Sequence, residues 1–395
     1  MPRRTVEEHA ARIRSLVHPA IDALGVERVP LEAALGRVLA DEVRSPIALP
    51  PFRNSQMDGY AARAADLTDA PVVLPVDGVQ AAGRAEARTL RPGAVLKVMT
   101  GAPLPDGADC VVPVERTEPA DGAVRLLDTS APGAFVRQAG SDLPAGAPLL
   151  PTGVRLAPRH LAACAAAGVA VLPVRRRMRV AVLTTGSEIV EPGEPLGFGE
   201  VHDANRTALA ALVAEAGAEV VLAELVPDDP GRFAARLEAA VAAADLVVTS
   251  GGVSHGDFEV VRQVLEPRGA EVVEIAMQPG GPQATASVGG VPVVCFPGNP
   301  VSTQVSFAVL LRPLLREAAG LPALEPGSAR SADAIRKPAG KRQWLRGRLE
   351  GDVVHVVAGP GSHLVAAMAR ADVLIDVPSG ATSIEPGELV AVLPL

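Results

Sequence analysis

Three segments that combine glycine or proline with hydroxyl or acidic residues each follow an apolar run and precede a helix-like stretch. They are TTGSE (184–188), TSGGVSHGD (249–257) and FPGNPVS (296–302). Glycines let a ligand approach the backbone, and a helix start offers free N–H groups and positive potential. Open parallel sheets bind ligands beyond the carboxyl ends of their strands. Any one segment alone could merely close a turn, but together they predict a site for a phosphorylated or oxyanionic ligand.

Acidic residues in predicted loops are the second chemical feature. Taken singly, each is compatible with a solvated cap or a turn. If several of them converge on the three segments, they can hold Mg²⁺, which prefers carboxylates together with ligand phosphates. The acids concerned are Asp58, Asp142, Glu188, Asp203, Asp228, Asp229, Asp257 and Glu259.

Several common catalytic and binding motifs are missing from the sequence. There is no GxxxxGK[ST], no GxGxxG after the first strand of the alternating region, no GxSxG and no HExxH. These absences argue against a P-loop enzyme, a dinucleotide-binding fold of the usual kind, an α/β-hydrolase and a zincin. His202 and His255 follow predicted strands but are not in zinc-ligand spacing, and His255 is either a ligand contact or an incidental loop residue.

The bulk composition narrows the class of protein. A net charge of −8 and a pI near 5.5 argue against a nucleic-acid or anionic-membrane binder. Cys110, Cys164 and Cys295 are far apart, which fits a reducing compartment. The start has no apolar signal segment, and the longest apolar run is interrupted by Gly168 and Pro173. We therefore expect a cytoplasmic protein.

The N-terminal part is predicted to be helical. Residues 5–40 place Ile13, Val17 and Ile21 on one apolar face. The stretch LEAALGRVLA, after Pro30, is predicted as a second short helix.

The predicted secondary-structure pattern changes three times along the rest of the chain. Short valine-rich runs between prolines and glycines predict a small all-β unit, and the helix LAPRHLAACAAAG that follows is expected to return to the N-terminal helices. Residues 178–318 alternate apolar strands with helices, which predicts a parallel sheet covered on both faces. Short strands return in the tail. The predicted domains are a discontinuous helical domain (1–45 plus 138–174), an inserted β domain (46–137), an α/β domain (175–322) and a C-terminal β domain (323–395).

The order and spacing of eight motifs resemble the MoeA/gephyrin E-domain family, the molybdopterin molybdenumtransferases. The likeness runs over nearly the whole chain. The family implies a central doubly wound parallel α/β domain like that of MogA and MoaB, a discontinuous helical domain, an inserted β domain, a C-terminal β-barrel-like domain, and an elongated homodimer. The motifs are NSQMDGYA, TGAPLPDGADCVV, GSDL, TTGSE, VHDAN, SGGVSHGD, PGNPVS and GSHLVAAMARAD.

The resemblance also implies a reaction in molybdenum cofactor biosynthesis. Adenylylated molybdopterin (molybdopterin-AMP) and molybdate are the implied substrates, the molybdenum cofactor and AMP are the products, and Mg²⁺ is the implied metal. Asp58, in MDGYA of the inserted β domain, would reach across the dimer to the partner's α/β domain. The implied partners are a second copy of the chain, the small-molecule pterin and molybdate, and other proteins of the same biosynthesis, with no nucleic acid and no membrane.

The site residues implied by the resemblance fall into three groups. The catalytic group is Asp58, Thr100, Asp142, Glu188, Asp228, Asp257 and Glu259. The metal ligands are Asp58, Glu188 and Asp257. The cofactor-binding group is Gly186, Ser250, Gly251, Gly252, Ser254, Pro297, Gly298, Asn299, Pro300, Ser302, Arg342, Arg346 and Ser362, of which Arg342, Arg346 and Ser362 would hold molybdate.

Two departures from the family pattern concern charge. The family commonly has K-P-G-K-P where this chain has MQPGGPQ, so that Gln278 and Gly281 replace two lysines. In TTGSE, Ser187 stands where the family often has an acid. An active enzyme that tolerates the changes is one interpretation, and a divergent paralogue with weak activity or tungstate use is another. A gephyrin-like non-enzymatic scaffold and a molybdopterin adenylyltransferase are further alternatives; the latter lacks the MDGYA and C-terminal blocks.

Overall fold

The chain folds into two compact units. A computed structural model describes residues 3–83, 86–254 and 259–395. The first unit comprises residues 1–27 and 175–395, and the second comprises residues 28–174. The domain boundaries predicted from the sequence remain predictions, and each unit is described by itself below.

The first unit is built on a seven-stranded sheet. Four adjacent strands on one side of the sheet run parallel, as predicted, and the carboxyl ends of three of them carry the three chemical segments. In spatial order the strands are Arg3–Arg4, Glu271–Ile275, Gln283–Val288, Val291–Phe296, Leu246–Ser250, Arg179–Thr185 and Glu219–Val226.

One strand of this sheet runs against the others and is absent from the sequence prediction. Gln283–Val288 pairs antiparallel with both of its neighbours. It joins Val291–Phe296 through Gly289 and Gly290, which have φ of 58° and 85°. Two consecutive residues with positive φ form the tight hairpin turn that suits the twist of antiparallel strands, and glycine adopts that turn without strain.

Helices cover both faces of the sheet. Alternate residues of Arg179–Thr185 point to opposite sides, so Val180 and Val182 join one core and Ala181 and Leu183 join the other. The first core includes residues of Val6–Asp22, Ala204–Glu215 and the helical stretch 300–318; the second includes residues of Pro230–Ala243 and Val260–Leu265. The helical segments of the first unit are Val6–Asp22, Ala204–Glu215, Pro230–Ala243, Val260–Leu265, Glu266–Arg268 (3₁₀), Pro300–Ser306, Phe307–Leu311 (π), Arg312–Ala318 and Val365–Met368.

The N-terminal helix is shorter than predicted. It begins after the N-cap Thr5, whose side chain accepts from Glu8 N while the Glu8 carboxylate accepts from Thr5 N, and it ends at Asp22. The strand Val26–Pro30 follows. The predicted second helix LEAALGRVLA is wrong, because only the 3₁₀ turn Leu31–Ala33 forms there.

The C-terminal part of the first unit is a closed barrel. Five strands pair in a ring, because Arg342–Glu350 bonds to Val353–Val356 on one side and to Val373–Val377 on the other. Met277–Gln278 pairs parallel with the start of Arg342–Glu350, so the barrel is tied to the segment QPGGP. The ring order is Arg342–Glu350, Val353–Val356, Gly327–Ser331, Leu389–Pro394 and Val373–Val377.

The second unit contains a six-stranded sheet and the helix Pro158–Ala166. Cys164 of that helix packs with Val29, Leu39, Leu150 and Leu172 in one core. The sheet order is Cys110–Pro113, Gly59–Ala62, Val95–Val98, Val72–Gln80, Ala123–Leu126 and Thr117–Ala120.

Within the described residues, none of the helices is both long and apolar enough to cross a lipid bilayer.

Short elements complete the chain. The second unit also has the 3₁₀ turns Ala64–Leu67 and Val114–Arg116. The two-stranded sheets are Val26–Pro30 with Val171–Arg175, Val43–Arg44 with Pro148–Leu150, Asn54–Ser55 with Val136–Arg137, Ile189–Val190 with Val201–His202, and Ile335–Arg336 with Ser383–Ile384.

Candidate active site

The three predicted segments meet at the carboxyl edge of the seven-stranded sheet and line one cavity of about 430 Å³, which we call the loop cavity. The segment QPGGP also contributes to its wall. The lining residues are Thr185, Gly186, Glu188, Ile189, Asp228, Gly251, Gly252, Val253, Ser254, Glu259, Gly281, Pro282, Pro297, Gly298 and Asn299.

Close backbone contacts hold the three segments together. Gly251 has φ of 97°, and a Cβ there would overlap the backbone oxygen of Thr185 and lie 3.1 Å from Thr185 Oγ1. A Cβ on Gly298 would lie 3.4 Å from Gly251 Cα. Gly251 N donates to Phe296 O at 3.2 Å. The cavity floor is therefore backbone packed on backbone, and a side chain at Gly251 has no space.

A buried polar network fixes the segment FPGNP. Asn205 Nδ2 donates to Gly298 O at 2.6 Å and to Ser250 Oγ at 2.9 Å. Ser250 Oγ and Thr303 Oγ1 donate to Pro297 O at 3.1 and 2.7 Å. Ser250 is thus part of the scaffold behind the cavity wall rather than of its surface. Neither Asn205 nor Thr303 was among the predicted site residues, although Asn205 lies in the motif VHDAN.

Three carboxylates line the loop cavity. Asp228 Oδ2 accepts from Ser187 N at 2.7 Å and from Ser187 Oγ at 3.0 Å. Glu259 Oε2 accepts from Ser254 N at 2.7 Å. Glu188 is the third. The serine in TTGSE thus orients an acid of the site.

Asp203, the aspartate of VHDAN, has a structural role. Asp203 is buried, caps the helix Ala204–Glu215 through Arg206 N at 2.9 Å, and accepts from Thr184 Oγ1 at 2.7 Å. Asp229 likewise caps Pro230–Ala243 through Arg232 N at 2.7 Å.

The described residues that line the loop cavity include no lysine and no arginine. Gln278, at one former lysine position of the family pattern, bonds to Gln343 Nε2 at 3.0 Å. Gly281, at the other, lines the cavity without a side chain. With three acids and no cation among these residues, the local charge is negative.

A second buried network supports the QPGGP wall from below. Gln283 Nε2 donates to Gly280 O at 2.6 Å and to Ser306 Oγ at 2.9 Å. Gln283 Oε1 lies 3.2 Å from His9 Nε2. Burial, reinforced by the positive charge of Arg4, lowers the pKa of His9 to about 4, so the imidazole is neutral at pH 7 and donates to Gln283.

The two predicted arginines of the barrel differ in their surroundings. Arg346 is fully buried, and its Nη2 donates to Gly359 O. Its Nε and Nη1 are buried without a partner, and burial lowers the pKa of Arg346. The backbone oxygen of Ser362, three residues after Gly359, accepts from Val301 N at 3.0 Å, so this barrel loop contacts the start of the helix Pro300–Ser306.

Arg342 does not line the loop cavity. Its guanidinium pairs with Asp376 and with Glu7, at 2.6 Å from the latter, and lies over the Trp344 ring. It borders a separate cavity of about 310 Å³. Arg342 and Arg346 are four residues apart on one strand, a separation of roughly 13 Å, so their side chains reach different regions of the first unit. The role of Arg342 as a molybdate ligand remains a prediction.

Pro300 and Ser302 also lie outside the cavity lining. Pro300 occupies the first position of the helix Pro300–Ser306, and Ser302 is buried within that helix. Asp257 and His255 lie outside the described residues. Among the residues that the structure does describe, no group of three or more His, Cys, Asp or Glu side chains is arranged to hold a metal ion.

The remaining predicted residues belong to the second unit. Asp58 Oδ1 accepts from Thr100 N at 2.6 Å and from Thr100 Oγ1 at 2.8 Å. These bonds, backbone first, lower the pKa of Asp58, which is exposed. Asp142 is exposed in a turn whose backbone bonds to Leu49. Asp58 and Thr100 therefore form one hydrogen-bonded pair, and the roles predicted for Asp58, Thr100 and Asp142 remain predictions.

The fold and the site define a multidomain protein whose α/β part carries a glycine-lined ligand cavity and is followed by a closed β-barrel. Comparison with known families matches residues 4–168 to the MoeA N-terminal region (domains I and II). Residues 181–317 match a probable molybdopterin-binding domain, and residues 328–395 match the MoeA C-terminal region (domain IV).

Individual relatives match over almost their whole length. Molybdopterin molybdenumtransferase 2 of Mycobacterium tuberculosis is 41% identical over 401 residues, covering 97% of this chain and 98% of the relative. Molybdopterin molybdenumtransferase of Nostoc is 36% identical, with coverage of 100% and 94%. A crystal structure of the molybdopterin biosynthesis MoeA protein from Pyrococcus horikosii has a TM-score of 0.83 at 34% identity, covering 99% and 98%. The chain therefore belongs to the MoeA family, and the predicted family and fold class are confirmed.

Proposed function

We propose that this protein acts in molybdenum cofactor biosynthesis and inserts molybdate into adenylylated molybdopterin. In this reaction the bond between the adenylyl phosphorus and the pterin phosphate breaks. One molybdate oxygen takes its place on phosphorus and leaves with AMP. Molybdenum binds the two sulfurs of the pterin, and the two thiol protons leave with a second molybdate oxygen as water. The observation that carries the proposal is the loop cavity itself: three glycine-lined strand ends, packed backbone on backbone, in a chain that aligns with molybdenumtransferases over its full length.

The cavity suits a ligand with phosphates and carbonyl-like oxygens. Its floor presents backbone at Gly251, Gly252 and Gly298, where no side chain separates a ligand from the main chain. Asn205 and Thr303 hold this floor rigid from behind. Such a preorganised wall positions two reactants without reorganisation at the moment of reaction, which is a major source of rate enhancement in transfer reactions.

The charge of the cavity supports a divalent cation as part of the active state. Two unit charges of like sign at 4 Å repel by roughly 4 kcal/mol at the effective dielectric of a partly exposed site. Anionic substrates would meet this repulsion from Glu188, Asp228 and Glu259. Carboxylates of this kind fit Mg²⁺, whose bound form supplies positive charge to phosphate and molybdate oxygens. Glu188 and the Asp228 oxygen that Ser187 leaves free are the residues of the first unit that we assign to it.

Arg346 is the residue that we assign to molybdate. A fully buried guanidinium with two nitrogens lacking partners is costly unless an anion satisfies them. The guanidinium fork matches two oxygens of an oxyanion. Ser362 lies on the same barrel loop and faces the helix start at Val301.

We further propose that the protein works in the cytoplasm as a homodimer in which Asp58 of the partner subunit completes the site. The carboxylate of this residue is exposed and kept ionised by Thr100, which suits a contact with a metal or a phosphate. The alternatives of a pure scaffold and of a divergent paralogue are less favoured, because the glycine floor and the three carboxylates serve chemistry and a scaffold has no need for them.

Incubation of the purified protein with adenylylated molybdopterin, molybdate and Mg²⁺ tests the proposal, with AMP release as the readout. We expect stoichiometric AMP for each molybdenum transferred and loss of the reaction in EDTA. Arg346→Gln should raise the KM for molybdate more than the KM for the pterin nucleotide. A parallel assay with tungstate in place of molybdate measures which of the two oxyanions the protein prefers. Absence of AMP release by a folded, pterin-binding protein would leave the scaffold as the better explanation.

A further inference from the structure

Two of the three lysines in this chain lie on one turn of the first unit, and one of them builds the turn. Lys337 is buried, and its Nζ donates to the carbonyl oxygens of Lys341, Pro338 and Ser379 at 2.7, 3.4 and 3.5 Å. Burial lowers the pKa of Lys337. Because three backbone carbonyls converge on this ammonium, the turn 338–341 has a fixed shape.

This turn is fastened to the strand that leads to the cavity wall. Arg342 N donates to Ala276 O at 2.8 Å, and Arg342 pairs in register with Met277. Lys341 Nζ lies 3.1 Å from Glu274 Oε1. The lysine side chain is 44% exposed and the glutamate 30% exposed, so the pair is accessible to solvent and to ligands.

Glu274 lies next to Gly281, which lines the loop cavity. A Cβ on Gly281 would lie 3.1 Å from the same Glu274 Oε1 that accepts from Lys341. A single carboxylate oxygen therefore separates the lysine ammonium from the wall. This is the wall at which the family pattern has a lysine and this chain has glycine.

We infer that Lys341 supplies the positive charge at the Gly281 wall by exchanging its partner, from Glu274 in the free protein to an oxyanion of the bound ligand. The inference rests on the proposed function and adds a specificity residue to it. An exposed lysine–glutamate pair is weak, and a lysine stem is long and flexible, so the exchange costs little. The recognised group is a phosphate or molybdate oxygen. Glu274 then acts as a competitor of the ligand and not as a ligand itself.

Opposite effects of the two partners provide the test. We expect Lys341→Gln to raise the Kd of the full-length protein for the anion roughly two- to fivefold, the range of an exposed ion pair. Glu274→Gln should lower that Kd by a similar factor, because it frees the lysine without changing its shape. Lys341→Arg should retain binding. Arg348→Gln, which removes an exposed arginine seven residues along the same strand, should leave Kd unchanged.

Calorimetric titrations with Mg²⁺ present would use two probes separately, molybdate and adenylylated molybdopterin. An effect confined to one probe identifies which anion the lysine binds, and either result supports the inference. Equal Kd values for all variants, or weakening by both Lys341→Gln and Glu274→Gln in proteins with unchanged circular dichroism, would overturn it. Binding is measured without turnover, so opposite Kd shifts in a protein that releases no AMP would refute the proposed function alone.

Discussion

Gly251→Ala should damage the site more than a comparable glycine substitution elsewhere, because the new methyl group would overlap the backbone oxygen of Thr185. A residue other than glycine at φ of 97° costs roughly 1–2 kcal/mol. The overlap adds roughly 1–3 kcal/mol if the structure stays closed. A backbone oxygen cannot rotate away, so the alternative is separation of TTGSE from TSGG. Displacement by about 1 Å at a reacting centre can cost roughly a hundredfold in rate.

Gly290→Ala is the matched control, because Gly290 has φ of 85° and a Cβ there would meet no atom within 4 Å. It carries the conformational cost alone. Thermal unfolding should therefore separate the two variants by roughly 1–3 kcal/mol, or about 2–12 °C for a unit of this size. AMP release should fall at least tenfold in Gly251→Ala and remain near wild type in Gly290→Ala. Indistinguishable variants would refute the argument that the loops are packed backbone on backbone.

Three further predictions concern charge. Asp58→Asn should abolish AMP release in a folded protein. Thr100→Val should move the acidic limb of the pH–rate profile to slightly higher pH, because it removes the hydroxyl bond that helps to lower the Asp58 pKa while the larger effect, the backbone N–H bond, remains. Gly281→Lys should tighten anion binding only in part. The Glu274 carboxylate, 3.1 Å from the new Cβ, would pair with the added ammonium and reduce its effect on the anion. The pKa of His9 falls to about 4 on folding, so the unfolded chain binds more protons than the folded protein between pH 6.5 and 4. The free energy of unfolding should therefore fall by up to roughly 3 kcal/mol as the pH decreases through that range. His9→Gln should remove most of this pH dependence.

Each of these predictions has a direct control. Unchanged turnover in Asp58→Asn would remove that carboxylate from the mechanism, and Thr100→Ser should keep the wild-type pH profile because it keeps the hydroxyl. Gly281→Ala tests the steric part of the lysine substitution alone. For His9, denaturant titrations at several pH values give the slope, and equal slopes in the wild type and His9→Gln would contradict the assignment of the proton uptake to this residue.

The positions of the chemical segments could be predicted because they follow from local pattern. The apolar strands Arg179–Thr185, Leu246–Ser250 and Val291–Phe296 are each followed by glycine or proline, and the carboxyl ends of parallel strands share one edge. The strand Gln283–Val288 escaped prediction, because QATASV has no clear alternation and its pairing is set by the turn after it. A short sequence pattern does not determine whether a strand runs parallel or antiparallel to its neighbours.

The surroundings of the site residues could not be predicted, because partners distant in sequence decide what a side chain contacts. Arg342 was expected at the molybdate site from its motif alone. Its guanidinium instead meets Glu7, 335 residues away, because the N-terminal helix packs beside the barrel. The pair of Lys341 and Glu274 spans 67 residues and has no local signature. Asn205 had a signal in VHDAN, but only the fold shows that its amide faces Gly298.

The charge pattern of the site explains how the family's lysines can be absent without loss of the proposed reaction. Cations placed in the lining would pair with Glu188, Asp228 or Glu259 before any substrate arrived. In this chain the described cations near the cavity stand one layer behind it: Arg346 is buried against Gly359, and Lys341 is held by Glu274. A cation in that layer is not paired with the lining acids, and Lys341 keeps Glu274 as its partner until an oxyanion of the ligand replaces it. We therefore expect the positive charge of this site to depend on the bound ligand and on the metal that the carboxylates hold, rather than on the residues of the cavity wall.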